Sequence, residues 1–272
     1  MKTYMKTGFW AAIQQPFAVI ALFLYQMGWG VMLYKLVQSV LVPLMHRFPG
    51  AHQPKQTLQL FLAESQFQLL KTDLIHSYLW WLAALLGVRM LLTPMLNAGV
   101  YYSLTHLHQN AGYRFFKGIK ELTLPFMLTY ILRMALSLAP LFWLLPKAQT
   151  ILTHTASFEQ AGLKLLPWLA GLLCYGFLIN LLFMYIQFAI AARHGVISTL
   201  ITFVRHSLPI IVLAFLILLS TGLLAGVTVT AAYIWAGLVA LIISQVYPLF
   251  NMFLQMWAIT AQYQLWSAKM NS

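Results

Sequence analysis

Carboxylates are almost missing from this chain. Four aspartates and glutamates stand against sixteen lysines and arginines in 272 residues, a formal net charge of +12. Charged residues of both signs make up only 7% of the sequence, where a soluble domain carries about 25%. So few charges cannot cover a folded surface in water, and the mean hydropathy of +0.80 points to lipid as the solvent. Cysteine is limited to Cys174, which excludes an intrachain disulfide and a thiolate metal cluster. Inside an apolar segment it reads as a small buried side chain. Catalytic signatures are equally absent. There is no Gly-x-x-x-x-Gly-Lys phosphate loop, no Gly-x-Ser-x-Gly elbow and no His-Glu-x-x-His zinc helix. The one close histidine pair is His106 and His108, and residues two apart do not share a helix face. With no carboxylate nearby, no metal site is expected there. The reading is a non-enzyme with no cofactor. A proton antiporter is disfavoured too, because such proteins use chains of intramembrane Asp, Glu or His.

What the chain has in abundance is apolar length. A spanning helix needs about 20 mostly apolar residues. Six segments qualify, at about 16–44, 74–104, 122–145, 164–191, 208–229 and 231–264. The fold class is therefore all-α, a polytopic membrane bundle forming one transmembrane domain over 1–272. Segments one, two and six exceed a perpendicular span and should tilt, kink or project. Pro94 and Pro248 are the expected kinks, since each removes a backbone donor. The N-terminus is not a cleaved signal, because its apolar run holds Tyr25, Gln26 and Trp29 and continues too far. It reads as a retained first helix.

The positive charge does not suggest nucleic acid, because it sits mostly at span ends. With the N-terminus inside, Lys2, Lys6, Arg114, Lys117, Lys120, Arg193, Arg205 and Lys269 face Glu121 on one side, a net +7. The other side holds Arg47, Lys55, Lys71, Lys147 and Lys164 against Glu64, Asp73 and Glu159, a net +2. Lysine and arginine excess marks the cytoplasmic face, which places both termini inside a bacterial cytoplasmic membrane. The same rim would attract anionic headgroups, with Arg114, Lys117, Lys120, Arg193 and Arg205 as the candidate contacts. Lys35, near the outer end of segment one, reads as a snorkelling side chain. Trp10, Tyr78, Trp80, Trp143, Trp168, Trp257 and Trp266 fall mostly near span ends and fit an interfacial belt.

An internal repeat runs through the centre. Trp81-Leu-Ala-Ala-Leu-Leu matches Trp168-Leu-Ala-Gly-Leu-Leu, and Leu124-Pro125 matches Leu208-Pro209. The units cover about 74–145 and 164–229, with spans one and six flanking them. Each reads as helix, basic amphipathic elbow, helix, in parallel rather than inverted order. The first elbow, Asn110 to Glu121, sets Arg114, Lys117 and Lys120 apart from Phe115, Phe116, Ile119 and Leu122. The second, Arg193 to Ser207, places Leu200, Ile201, Phe203 and Val204 between Arg193 and Arg205. Such helices can lie in the headgroup layer or seat a cytoplasmic partner. A loop at about 45–73 is the largest extramembrane piece, with a helix expected from Thr57 to Leu70.

Two such units flanked by one span each resemble a broad group of bacterial six-span membrane proteins. The group includes the membrane domain attached to some glycerophosphodiester phosphodiesterases and several uncharacterised families. The resembling stretches are Tyr101 to Ile131 and Tyr185 to Ile217. The phosphodiesterase barrel itself is missing, so the resemblance implies a bundle and no enzymatic residue.

Two arginines lie inside spans. Arg89 is about 22 Å into a descending segment and Arg133 about 16 Å into the next, rising one, at 1.5 Å per residue. Arg89, Thr93, Asn97 and Tyr101 share one helix face, as do Thr129, Arg133 and Ser137. A charge at bilayer centre costs about 2.5–3.5 kcal/mol on insertion scales, so such residues are functional candidates. No carboxylate sits at their depth. The possible partners are backbone carbonyls, Asn180, Gln187, Asn251 and Gln255, or an anionic ligand suited to an arginine fork. The remaining alternative is snorkelling or carbonyl capping. Midspan Gln26, Asn180, Gln245 and Asn251 read as interhelix glue. The expectation is an accessory, regulatory or assembly factor that holds anionic lipid or a partner membrane protein. Arg89 and Arg133, with Thr93 and Asn97, would hold the anionic group. The alternative is a permease, or a transporter's membrane subunit, for a small anionic or amphipathic solute.

Overall fold

The computed structural model describes residues 1–46, 74–153, 158–234 and 238–270. Among these, every regular element is an α-helix: α1 (Lys2–Ile13), α2 (Pro16–His46), α3 (Leu74–Thr105), α4 (Ala111–Thr153), α5 (Phe158–Ala191), α6 (Val196–Arg205), α7 (Ser207–Ile234) and α8 (Leu238–Met270). Five stretches are long and apolar enough to cross a membrane: Pro16–Ser39, Tyr78–Thr105, Ala111–Ile151, Gly162–Ala191 and Ser207–Ala231. The sixth expected span falls on α8, where the side chains at 235–244 lie outside the described residues. The helix expected from Thr57 to Leu70 lies outside them as well.

The helices form two compact units, one of Met1–Ile20 with Pro94–Ser272 and one of Ala21–Thr93. The division within α3 falls at Pro94, whose ring cannot bond the carbonyl one turn back. In the larger unit the core gathers at one end of the helices. Val100, Phe126, Tyr185, Phe188, Ile210, Leu213, Met256 and Leu265 are all buried there. Farther along, large apolar side chains such as Phe142, Leu173 and Leu223 point outward, with Phe142 89% exposed. Helices that are apolar all round are made for lipid contact. Cys174 belongs to this outward surface and is exposed, contrary to the buried position expected for it. An apolar segment surrounded by lipid has no need to hide a thiol from its neighbours.

Small residues set the close contacts. A methyl group at Gly118 would lie 2.9 Å from the Ala98 carbonyl, and one at Gly99 would lie 3.0 Å from the Phe115 carbonyl, so α3 and α4 touch backbone to backbone. Helix α1 was not foreseen as a separate element. The break after Gln14 follows from Pro16, which opens α2 and disfavours helical geometry in Gln15 before it. The freed α1 packs on α8. Thr260 Oγ1 donates to the Gly8 carbonyl at 2.7 Å and Trp257 Nε1 to the Met5 carbonyl at 2.9 Å. A methyl at Gly8 would meet Ala261 Cα at 2.5 Å.

Buried polar groups join the elements. Gln15 Nε2 donates to the Ser103 carbonyl at 3.3 Å, and Ser103 Oγ donates back to Gln15 Oε1. Tyr185 OH donates to Gln262 Oε1 at 2.8 Å, and Gln262 Nε2 reaches the Ile210 carbonyl at 3.3 Å, linking α5, α8 and α7. At the far end of α4 and α5, Lys147 Nζ lies 3.6 Å from the Trp143 ring centre and 4.1 Å from that of Trp168. Trp266 departs from the expected belt. It is 2% exposed and packs on Phe188, Tyr263 and His194.

The two elbows differ. The first is continuous with the span after it, so Ala111–Thr153 is one helix running through Pro125, Pro140 and Pro146. The second is a separate helix, α6, ended at His206 (φ −115°, ψ 28°) before α7 begins. In α6 Thr199 is buried and Phe203 packs on Tyr185, while Ile197, Ile201 and Val204 are exposed.

Candidate functional site

Arg89 lies in the smaller unit, with its guanidinium carbon 4.9 Å from the ring centre of Trp29. A contact of this kind stabilises by about 0.5–2 kcal/mol. Thr93 Oγ1 donates to the Arg89 carbonyl at 2.6 Å. Its proton is therefore spent, and the 3.0 Å contact with Tyr25 has the tyrosine hydroxyl as donor. Thr93 thus ties α2 to α3. Asn97 is half-buried in the larger unit, and its carboxamide makes no hydrogen bond among the described residues. The four residues expected to share an anionic group therefore divide two and two between the units: Arg89 and Thr93 in one, Asn97 and Arg133 in the other.

Arg133, half-buried on α4, donates from Nη1 to Asn180 Oδ1 on α5 at 3.0 Å, and its guanidinium carbon is 5.6 Å from the Tyr130 ring. No carboxylate pairs with it among the described residues. A neutral amide oxygen satisfies one of its five N–H donors and none of its charge. Asn180 was among the partners foreseen for it; Gln187, Asn251 and Gln255 are not bonded to it.

The residues expected at the headgroup layer separate into three situations. Arg114 is turned inward and only 4% exposed. Its Nη1 donates to the Leu107 carbonyl at 3.2 Å and its Nη2 to the Gln14 carbonyl at 3.1 Å, while Nε is buried without a partner. This corrects its assignment to the membrane surface: the turn before α4 and the break after α1 leave carbonyls that need a donor, and Arg114 supplies it. Lys117 and Arg193 both reach Glu121, at 3.8 and 3.1 Å. Arg193 closes α5 in the left-handed region, at φ 55°. Lys120 and Arg205 are exposed and form no such pair. His106 stacks on Tyr102 with ring centres 4.0 Å apart, and no group of three metal-binding side chains occurs among the described residues.

The helices and their outward apolar faces define the class: a multi-pass membrane protein. No protein-family model, curated protein or solved structure matches this chain.

Proposed function

We propose that this is a non-enzymatic protein of a bacterial cytoplasmic membrane, with both termini on the cytoplasmic side. It acts as an accessory, regulatory or assembly factor that holds an anionic lipid. The observation that carries this reading is Arg133, a cation in the middle of an apolar helix whose one polar side-chain partner is the neutral Asn180. A half-buried cation in an apolar helix, with no countercharge among the described residues, favours an anionic occupant. Arg89 answers the same description: the Trp29 ring lies against its charge, and no carboxylate pairs with it among the described residues. Exposed Lys120 and Arg205 would seat headgroups.

Native mass spectrometry of the detergent-purified protein tests the reading. The wild type is expected to retain an anionic lipid that Arg89→Ala/Arg133→Ala loses. Equal adducts in both, or none in either, would overturn it, and the search would move to copurifying membrane proteins. A second reading, a permease for a small anionic or amphipathic solute, is favoured by an open cavity beside Asn180. It requires flux through reconstituted vesicles that falls in the Arg133 variant.

A further inference from the structure

Asn180 has a second face. Besides Arg133 it borders a half-open cavity of about 380 Å³ formed by α5, α7 and α8. The walls are mostly apolar, with Phe177 and Met184 among them, but Thr221, Asn251 and Gln255 line it too. A guanidinium carries no acceptor, so the amide oxygen of Asn180 must be the atom that faces Arg133. What Asn180 has left to offer is its two N–H donors. Asn251 and Gln255 make no side-chain hydrogen bond among the described residues, although both lie on a helix facing the apolar part of the bundle. Thr221 has spent its proton on the Leu218 carbonyl at 3.0 Å. Thus three carboxamides whose N–H donors have no partner among the described residues meet at one apolar cavity, next to a cation that no described carboxylate pairs. No carboxylate lines it among the described residues. Unpaired amides in an apolar setting are costly, and a ligand that accepts several hydrogen bonds removes that cost.

We propose that this cavity binds a single-chain amphiphile with an anionic, hydrogen-bond-accepting head, a carboxylate or a phosphate monoester, on one aliphatic tail. The head sits at Asn180, Asn251 and Gln255, and the tail lies against the apolar wall of the cavity. The volume is at the low end of small-molecule sites, about 300–1,000 Å³, which favours one chain over two. The open side admits the ligand laterally. The proposal rests on the reading of Arg133 as the holder of an anionic group, because that cation sets the sign of the ligand's head.

The test uses the full-length purified protein and a diazirine-bearing fatty acid as photoaffinity probe, with labelled peptides mapped by mass spectrometry. Label is expected on peptides from α5, α7 and α8 that line the cavity. Dodecanoate and dodecyl phosphate should compete it away, whereas dodecanol and inorganic phosphate should not. Asn251→Leu/Gln255→Leu should lower labelling about tenfold, since two carboxamide donor groups are lost. Arg133→Gln should weaken the acid probe and spare the matching alcohol probe. Label spread over the lipid-facing helices, equal competition by dodecanol, or displacement by inorganic phosphate alone would each overturn the proposal. Should the double variant fail to fold, competition on the wild type decides by itself. The native adduct separates the two readings: an Arg133-dependent phospholipid with no cavity labelling sinks the cavity and leaves the lipid reading standing. Saturable cavity labelling with no phospholipid adduct does the reverse.

Discussion

Arg114 and Arg133 sit on the same helix and live under different rules. Arg114, near the start of α4, is buried and bonds two carbonyls from separate parts of the chain, Leu107 and Gln14. Arg133, in the middle of the helix, meets one amide oxygen and an aromatic face. The first cation completes the backbone; the second has capacity to spare. In a chain so poor in carboxylates, what an arginine does depends on how many neutral acceptors the fold has already aimed at it, and its depth along the helix is a poor guide.

The largest expected effect tests this contrast directly. Arg114→Ala should destabilise by about 3 kcal/mol, because two charge-assisted bonds from a buried guanidinium vanish and the carbonyls of Leu107 and Gln14 lose their donor. Arg133→Ala should cost less than about 1 kcal/mol, the scale of one hydrogen bond within a membrane bundle. Melting in detergent, monitored by light scattering, compares the two, and equal losses would erase the distinction. Gly8→Leu comes next, at about 2 kcal/mol, since the new side chain meets the Ala261 backbone, which cannot rotate away. The same melting assay reads it, and limited proteolysis should cut first within residues 1–13. Tyr185→Phe should cost about 1 kcal/mol by stranding Gln262 Oε1. A chemical denaturation series in mixed micelles would register that loss. At the bottom of the scale, Arg193→Ala should change stability by no more than about 0.5 kcal/mol, because its pair with Glu121 is largely exposed. A larger loss there would mean the elbow pair matters as much as the buried contacts.

Much of the fold was legible because lipid demands length and apolarity, and both are written in the residue order. Five of the six expected spans follow from that, as does the boundary signal at Leu208-Pro209. The repeat did not reveal that the same dipeptide would be absorbed inside α4 and preceded by a break at His206 before α7. That choice depends on tertiary packing: Phe115 and Gly118 press the first elbow onto α3, whereas the second turns Thr199 inward and packs Phe203 on Tyr185. Helix α1 could have been found from Gln14-Gln15-Pro16, a pattern that disfavours a continuous helix. The inward turn of Arg114 could not, because its acceptor at Gln14 lies 100 positions earlier in the chain. Asn180 stood among the possible partners for the buried arginines. Its pairing with Arg133 needed the α4–α5 register, which no spacing rule supplies.

The clasp between α1 and α8 also has a clock. Gly8 and Thr260 are separated by 252 positions. At a synthesis rate of about 5–20 residues per second, the segment that receives α1 emerges roughly 13–50 s after α1 itself. Throughout that interval the first helix has no seat, and its buried face, Gly8 and Ala12, is open to other hands. Closure of α1 therefore cannot precede synthesis of the segment around Thr260. A protein truncated before Trp257 would carry a permanently unlatched leading helix, a ready mark for quality-control proteases.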